Sequence, residues 1–471
     1  MISLRSSSAV SASCSAPKAP RSPRSVAWLV AASSLLLLSA CGGPREPAWP
    51  ESAKKWYDRA NASYRQGDLE DARAASEQAL KIMPKEPEVR LAAADIALAE
   101  LDFERALSLT VGLSGSRARG IRGRAYWYQG ELEKAADELE ALKNDPDVKD
   151  SWASDVAQLA RKGIGRRPFE MSGGLVAAIE MPRSGTTAMI VPVEVNGEPG
   201  LALIATDSSE TVVDAPSKEG SWISLRFGGS IEVSDVPALG RDLSGLKREI
   251  GAPIKLLIGV NLLRHLRPTI DFAGRQFVVR SFEPPAPPEA TTVHPIYYRG
   301  GALVLPVAYG GESDSSQGIL LMHTSTNYPV ALDAAAWKKN GQDPASFPPI
   351  PGRAGLREGR LPFLKLGTFE MQGVPGVLGV PIAEAEKATS ADLDGFAGSG
   401  LFATFRLTLV DGGKTLWLED LPAEVIEEQK AQVARLRAGQ EAAAAERGAP
   451  APSAPANIEA PIPAPPATIK K

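Results

Sequence analysis

One acidic residue, Asp207, stands in a polar turn where its carboxylate could do acid–base chemistry. Residues 201–213 read Leu-Ala-Leu-Ile-Ala-Thr-Asp-Ser-Ser-Glu-Thr-Val-Val, so hydroxyl side chains flank the acid. The apolar residues before the turn predict a buried strand, and those after it predict a second, short strand. A carboxylate held at such a turn can bind or deprotonate water, which makes this stretch the first candidate for a catalytic site.

A second stretch, residues 318–330, repeats the pattern without an acid. It reads Gly-Ile-Leu-Leu-Met-His-Thr-Ser-Thr-Asn-Tyr-Pro-Val, with His323 at the start of the turn. A histidine there can act as a base or a ligand, but a lone histidine in a turn is more typical of a hydrogen-bonded polar residue. With His265 and His294 the chain has three histidines, too few and too scattered for a zinc site, so no metal or cofactor is predicted.

The two turns belong to two similar β-rich units that begin after Phe169. In the first unit, short strands with glycine and proline punctuation predict two hairpins, a short helix and a closing hairpin. These segments are 189–205, 221–237, 259–266 and 269–279, and the same order recurs over 303–330, 364–375 and 400–418. We therefore predict an internal duplication, with units over 172–283 and 292–420 and a stiff Pro-rich linker over 284–291.

This repeated order resembles the retropepsin-like aspartic peptidases, in the form found in bacterial proteins. The resemblance is carried by the Thr-Val-Val segment 211–213, by a hairpin ending in Val-Pro, and by residues 258–263 before a Thr-Ile-Asp hairpin. It implies an all-β body of two lobes, each with an Asp-Thr/Ser-Gly turn. In such enzymes the two aspartates share a proton, because two close like charges cannot both stay ionised. Extended peptides run along the groove between the lobes of active relatives.

Held in the register of this family, neither unit has the catalytic aspartate. The aspartate position falls on Ala205 in the first unit and on Met322 in the second, and neither side chain can bind or deprotonate water. A register two residues further on gives Asp-Ser-Ser at 207–209 but Thr-Ser-Thr at 324–326. We therefore predict a degenerate dyad at Ala205 and Met322, with Asp207 as the fallback catalytic candidate. An Asx-type turn, in which the side chain bonds its own backbone, is the structural alternative for Asp207.

Residues 51–163 have the apolar spacing of helices and predict a helical repeat. The spacing of a tetratricopeptide repeat, about 34 residues long, is matched by Trp56, Ala60, Tyr64, Gly67, Ala72, Ala79 and Pro84. Two further units follow, and the second of the three repeats lacks the turn glycine. Residues 151–162 predict a capping helix. Such repeats typically bind a peptide or protein in a concave groove. The alternative is that they form a rigid spacer or pack on the neighbouring domain.

Residues 1–41 resemble the signal of a bacterial lipoprotein. Basic residues precede an apolar run over 26–38, which is too short to span a hydrocarbon core of ~30 Å. The run ends in Leu-Ser-Ala-Cys-Gly, so Cys41 resembles the lipidated cysteine of the lipobox, with 42–50 as a tether. The resemblance implies stable anchoring by several acyl chains. Gly42 in place of Asp implies the outer membrane, facing the periplasm. The alternative is an ordinary cleaved signal.

The composition excludes several function classes. The formal net charge of −4 over 471 residues gives no basic face for nucleic acid. Both cysteines, Cys14 and Cys41, lie in the leader, so the rest of the chain has no disulfide framework and no cysteine nucleophile. No Gly-x-Ser-x-Gly elbow, P-loop or His-Glu-x-x-His motif occurs. Three arginines near the units, Arg226, Arg264 and Arg267, are predicted to be solvated or salt-bridged.

The sequence as a whole predicts an all-α, TPR-like repeat followed by an all-β, two-lobed body like that of an aspartic peptidase. Beyond it, residues 421–447 predict a solvated helix and 448–471 a disordered Ala/Pro-rich tail. The leading functional hypothesis is a lipid-anchored envelope scaffold that binds a protein or peptide through the repeats or the cleft between the lobes, without cleaving it. The alternatives are an active aspartic peptidase using Asp207 and a purely structural β body.

Overall fold

Helices fill the first part of the computed structural model, which describes residues 49–182, 187–311 and 314–420. The predicted signal with Cys41, the helix over 421–447 and the tail over 448–471 lie outside the described residues. Within these residues no helix is long and apolar enough to cross a membrane. The helices up to residue 162 are α1 (Glu51–Gln66), α2 (Leu69–Ile82), α3 (Pro87–Ala99), α4 (Phe103–Thr110), α5 (Ser116–Gln129), α6 (Leu132–Lys143) and α7 (Ser151–Lys162).

These helices form three hairpins followed by the single helix α7, as the sequence predicts. In the first hairpin Ala60 and Ala72 are almost fully buried, because their small side chains allow α1 and α2 to approach closely. Gly67 ends α1 in the left-handed conformation with φ 82°, which suits a residue without Cβ. The middle hairpin lacks this glycine, and Leu101 adopts φ 56° in its place. Packing of the buried Leu101 side chain therefore holds a backbone conformation that leucine disfavours.

The first β-rich unit begins two residues before the predicted boundary. Its elements are β1 (Glu170–Gly173), β2 (Val176–Glu180), β3 (Ile190–Val195), β4 (Glu198–Ile204), β5 (Thr211–Asp214), β6 (Ser221–Phe227), β7 (Ile231–Arg241), α8 (Ser244–Ile250), β8 (Ile254–Ile258), α9 (Val260–Leu266), β9 (Thr269–Asp271) and β10 (Gln276–Arg280).

The second unit follows the Pro-rich linker. Its elements are β11 (Thr291–Val293), β12 (Ile296–Tyr298), β13 (Ala302–Gly311), β14 (Asp314–His323), β15 (Val330–Leu332), α10 (Ala334–Lys339), β16 (Arg357–Leu366), β17 (Phe369–Leu378), α11 (Ala383–Thr389), β18 (Gly395–Gly398), α12 (Ser399–Phe402), β19 (Phe405–Val410) and β20 (Thr415–Asp420).

Six strands of each unit share one topology, and the seventh strand, β1 or β12, flanks opposite ends of the common order. In the first lobe the sheet order is β1-β7-β5-β8-β4-β3-β6, and a further pairing of β6 with β7 closes it. In the second lobe the order is β12-β13-β14-β18-β15-β17-β16, closed by β13 with β16. The parallel pairs correspond too: β4 with β8 and β5 with β7 match β14 with β18 and β15 with β17. The duplicated order read from the sequence is therefore a duplicated fold.

A shared sheet joins the lobes. Its order is β11-β20-β19-β9-β10-β2, so three strands of the second unit meet three strands of the first at a junction where Leu407 of β19 pairs with Ile270 of β9. The cores of both lobes form one continuous cluster of buried apolar side chains. The two lobes are consequently held in a fixed relation by covalent linkage, by the shared sheet and by the common core.

The helical repeats pack on the β body with the first helix of each hairpin. Tyr64 of α1 meets Tyr298 at 5.1 Å between ring centroids, and Trp127 of α5 meets Trp222 at 6.5 Å. Trp222 Nε1 also donates to the carbonyl oxygen of Leu159 in α7, at 3.0 Å. The turn after β12 enters this face, since a Cβ on Gly301 would clash with the hydroxyl of Tyr128. The structure thus shows the repeats packing on the neighbouring domain.

Candidate functional site

The turns after β4 and β14 face each other across the boundary between the lobes. The amide of Thr206 donates to Thr324 Oγ1 at 3.0 Å, and the amide of Thr324 donates to Thr206 Oγ1 at 3.2 Å. Each hydroxyl in turn donates to a carbonyl oxygen of the other lobe: Thr206 Oγ1 to Met322 at 2.8 Å and Thr324 Oγ1 to Ile204 at 2.7 Å. Both threonines are buried, so this reciprocal network fixes the two turns against each other.

The symmetry of this network identifies the equivalent residues of the two turns. Thr206 corresponds to Thr324, so Ala205 corresponds to His323. The sheets give the same result independently. Ile204 pairs with Ile258 and Met322 with Ala397, and each of those partners directly precedes the glycine that caps a short helix.

The prediction that Met322 lies opposite Ala205 is therefore wrong. Met322 is the preceding residue; its side chain is buried in the core, and its carbonyl oxygen serves the threonine network. The error has a physical origin in the length of the turns. Thr211 of β5 and Val330 of β15 occupy matching places in their sheets, yet the second turn is one residue longer than the first. An alignment of the two turns without a gap therefore cannot match both the start and the end of each turn.

Neither dyad position holds a carboxylate. Ala205 is fully buried, and its amide donates to Ile258 at 3.0 Å. The side chains next to the threonines, where the family pattern has glycine, are Asp207 and Ser325. Ser325 Oγ donates to Asp207 Oδ1 at 2.5 Å across the lobe boundary. The Asx-type turn expected for Asp207 is thus replaced by a bond to a side chain of the opposite lobe.

His323 lies beside this pair without a hydrogen bond to it. Its Nδ1 is 3.6 Å from Asp207 Oδ1, which is too long for a hydrogen bond, and this atom is buried without a partner. The ring packs against Phe396 at 5.0 Å between centroids. The expectation of a hydrogen-bonded turn histidine is therefore not met at Nδ1. The side chains of His323 and Asp207 remain 26% and 29% exposed, so the pair is accessible from solvent.

This arrangement lacks the parts of the dyad mechanism. Sharing one proton requires two carboxylates in close contact, and Asp207 has a hydroxyl and an imidazole as neighbours instead. A second hydroxyl contact joins the lobes, since Thr187 of the first unit and Ser399 of the second lie 2.7 Å apart between their oxygen atoms. No group of three or more metal-ligating side chains occurs among the described residues.

Sequence reasoning did not identify Glu210, a buried carboxylate at the end of the first turn. It is 2% exposed and ends the turn that begins at Thr206. It accepts three hydrogen bonds of 3.2 Å, from Tyr128 Oη, Trp152 Nε1 and Asn261 Nδ2. Burial raises the pKa of Glu210, while the donors, among them Asn261, act in the opposite direction. Glu210 thus ties the turn to helices α5 and α7, and only the tertiary structure brings these donors together.

The three arginines differ in their surroundings. Arg226 pairs with Glu232 at 3.2 Å and Arg267 with Glu283 at 2.8 Å, as predicted. Arg264 was predicted to be solvated or salt-bridged, and this is wrong. It is 5% exposed, and no carboxylate within the described residues lies within ion-pair distance of it.

The comparisons with known proteins cover parts of the chain. The tetratricopeptide repeat family model matches residues 53–86, which span α1 and α2. The TPR domain of Arabidopsis OM64 is 20% identical, covering 24% of this chain and 98% of that domain, with a TM-score of 0.23. A retropepsin-like aspartic protease from Rickettsia conorii is 15% identical, covering 29% of this chain and 95% of that one, with a TM-score of 0.21. No curated protein matches the chain.

The family match and the helix hairpins identify the helical part as tetratricopeptide repeats. The duplicated lobes and the sheet that joins them agree with the all-β, two-lobed body predicted from the sequence.

Proposed function

We propose that this chain is a lipid-anchored protein of the bacterial envelope, whose two-lobed body binds an extended segment of a partner protein without cleaving it. One observation supports the proposal: in the reciprocal network of Thr206 and Thr324, the residues that directly precede the two threonines are Ala205 and His323, and neither is an aspartate. Without a second carboxylate, the body retains the architecture of a peptide-binding cleft but lacks the groups that activate water.

The exposed pair of Asp207 and Ser325 favours a peptide as the ligand. An extended peptide presents alternating N–H and C=O groups that need partners when they leave water. The carboxylate of Asp207 accepts hydrogen bonds from amides, and the hydroxyl of Ser325 can turn from Asp207 to a peptide carbonyl. The pair therefore offers both kinds of partner at the point where the lobes meet.

The repeats act in this proposal as a brace rather than as the principal receptor. Tetratricopeptide repeats as a class bind proteins on extended surfaces. Here the first helix of each hairpin faces the β body, through contacts such as Tyr64 with Tyr298 and Tyr128 with Glu210. The second helices, α2, α4 and α6, remain as the face on which the repeats could meet a further protein.

The anchor rests on the leader of the sequence. The Leu-Ser-Ala-Cys segment ending at Cys41 resembles a lipobox, and residues 42–50 provide a short tether before α1. Acylation of Cys41 would hold the repeats and the β body near the membrane surface, and several acyl chains suffice for stable anchoring. The outer membrane, with the protein facing the periplasm, is the location that this leader favours.

Binding and cleavage of an unfolded protein test the proposal together. We would measure the fluorescence anisotropy of labelled casein against the soluble chain, residues 42–471, and follow casein by gel from pH 3 to 8. We expect saturable binding without cleavage. Asp207→Asn should weaken binding several-fold, whereas Glu198→Gln, which removes a charge from an exposed site on β4, serves as the matched control. Cleavage that is lost in Asp207→Asn, or no binding at any pH, would refute the proposal.

A further inference from the structure

A cavity of about 570 Å³ opens where the repeats and both lobes meet. The repeats contribute Phe103 and Tyr128, the first lobe contributes Phe169 and Arg264, and the turn between β19 and β20 contributes Lys414. This volume suits a small molecule, since ligand pockets measure roughly 300–1,000 Å³. The cavity is separate from the turn pair at Asp207, because none of its lining residues belongs to either turn.

Arg264 gives this cavity its chemical character. The side chain is almost fully buried, and its Nη2 donates to Asn261 Oδ1 at 3.0 Å. Its Nε and Nη1 are buried without a hydrogen-bond partner. A buried cation is costly unless an anion or an acceptor meets it. Aromatic faces add to this: the guanidinium lies 5.1 Å from the ring centroid of Tyr128, 5.7 Å from that of Phe103 and 5.8 Å from that of Tyr297.

The remaining charges of the cavity also favour an anion. Arg267 is neutralised by Glu283, at 2.8 Å, and so contributes little free charge. Lys414 is exposed at the mouth, where Asp411 is the one acid among the lining residues. Burial lowers the pKa of His265 to about 4, so this ring is neutral at pH 7. No acid of the lining lies at the inner end of the cavity beside Arg264, and the carboxylate of Glu210 reaches it only through Asn261, which donates to Glu210 and accepts from Arg264.

We propose that this cavity binds a small organic carboxylate that carries a flat apolar group. The carboxylate would lie between Arg264 and Lys414 and supply the acceptor that the guanidinium lacks. The flat group would lie among Phe103, Tyr128 and Phe169. Because Nε and Nη1 are covered by neighbouring side chains, the ligand must displace part of this cover as it enters. This inference does not depend on the proposed function, since it concerns a different part of the molecule.

Paired probes separate a carboxylate site from a merely apolar cavity. We would titrate the chain from residue 42 onward with 2-naphthoate and with 2-naphthylmethanol, its neutral counterpart, by isothermal titration calorimetry. We expect 2-naphthoate to bind at least about ten-fold more tightly, a ratio that equals about 1.4 kcal/mol. Equal affinities, or no saturable binding of 2-naphthoate, would overturn the proposal.

Three variants assign the preference to residues. Arg264→Met keeps the length of the side chain without its charge, and should abolish the preference while 2-naphthylmethanol still binds. Lys414→Gln, at the exposed mouth, should lower the ratio several-fold. Lys255→Gln removes an exposed charge on β8, outside the cavity, and should leave the ratio unchanged. A preference that survives in folded Arg264→Met would overturn the assignment. If Arg264→Met does not fold, an unchanged ratio of the two affinities in Lys414→Gln would overturn the assignment.

Discussion

Ser325 Oγ donates a hydrogen bond of 2.5 Å to Asp207 Oδ1 across the boundary between the two lobes. These side chains occupy the turn positions that carry glycine in the family that the sequence resembles. The dyad positions beside them hold Ala205 and His323. Each turn therefore departs from an Asp-Thr-Gly pattern at its first and third residues, while the threonine between them is kept in both.

The intact threonine network predicts that the dyad can be restored. The fourfold variant Ala205→Asp, Asp207→Gly, His323→Asp and Ser325→Gly creates two Asp-Thr-Gly turns on a frame that already holds them together. Two close carboxylates should share a proton, so we expect cleavage of casein below about pH 6. The threefold variant without Ala205→Asp has a single carboxylate and should not cleave. Equal cleavage by both variants would contradict this reasoning.

The buried threonines should contribute measurably to the stability of the lobe junction, beside the shared sheet and the common core. Thr206→Val preserves shape but leaves the Met322 carbonyl oxygen and the Thr324 amide without partners. We expect the free energy of unfolding to fall by about 2–3 kcal/mol, because each buried unpaired group costs about 1–3 kcal/mol. Thr206→Ser keeps the hydroxyl and should cost less. Urea unfolding followed by tryptophan fluorescence measures both, with the exposed Thr292→Val as the control. A loss below about 0.5 kcal/mol would refute the role given to the network.

Glu210 should couple the repeats to the β body. Glu210→Ala removes the acceptor of Tyr128 Oη, Trp152 Nε1 and Asn261 Nδ2, which are donors from two helices of the repeats and from α9. We expect a loss of roughly 2–4 kcal/mol in unfolding free energy and faster proteolysis between the repeats and the first lobe. Glu210→Gln keeps one acceptor oxygen, so its unfolding free energy should lie between those of the wild type and Glu210→Ala. Glu198→Ala, at an exposed carboxylate, is the matched control. Equal effects of the two alanine variants would contradict the coupling.

Acid should destabilise the fold through His265. Its ring stacks on Phe169 at 4.2 Å between centroids, and burial lowers its pKa from 6.5 to about 4. The unfolded chain therefore binds the proton first as the pH falls, so the free energy of unfolding decreases between pH 6.5 and about 4. The contribution is at most about 3 kcal/mol. Urea unfolding of wild type and His265→Phe at pH 7 and 4.5 tests this. An equal decrease in both proteins would exclude His265 as the cause.

Lipidation should depend on Cys41 alone. In a Gram-negative host fed labelled palmitate, we expect the wild-type chain to carry the label and to sediment with membranes. Cys41→Ser should lose the label, whereas Cys14→Ser should retain it, since Cys14 lies outside the lipobox-like segment. Label that is unaffected by Cys41→Ser, or absent from the wild type, would show that the leader is an ordinary signal.

Much of the architecture could be predicted from local patterns. Gly67 and Pro84 mark the first helix hairpin, and the order of strands, polar turn, hairpin and short helix occurs twice. These features depend on residues close in sequence, whose backbone preferences and apolar spacing act locally. The turn at Leu101 shows the limit of this reading. Packing of its side chain overrides the preference for glycine, so the hairpin forms without its usual signal.

The site itself was only partly predictable. The sequence alone showed that neither turn holds an Asp-Thr-Gly triplet, because that depends only on which residues are present. Which residue is equivalent to Ala205 depends on the hydrogen bonds between Thr206 and Thr324, which the sequence does not reveal. Because the two turns differ by one residue in length, the sequence comparison assigned Met322 to this position instead of His323.

The sequence by itself thus determined the types of element, their duplication and the missing acids. The tertiary structure decided how they meet: Glu210 with donors from two repeat helices, Arg264 without a carboxylate, and the repeats turned toward the β body. The physical reason is that these interactions act over different separations along the chain. Backbone preference and apolar periodicity act within a few residues. The pairing of buried charges and hydrogen-bonding groups instead depends on side chains that folding brings together from distant parts of the chain.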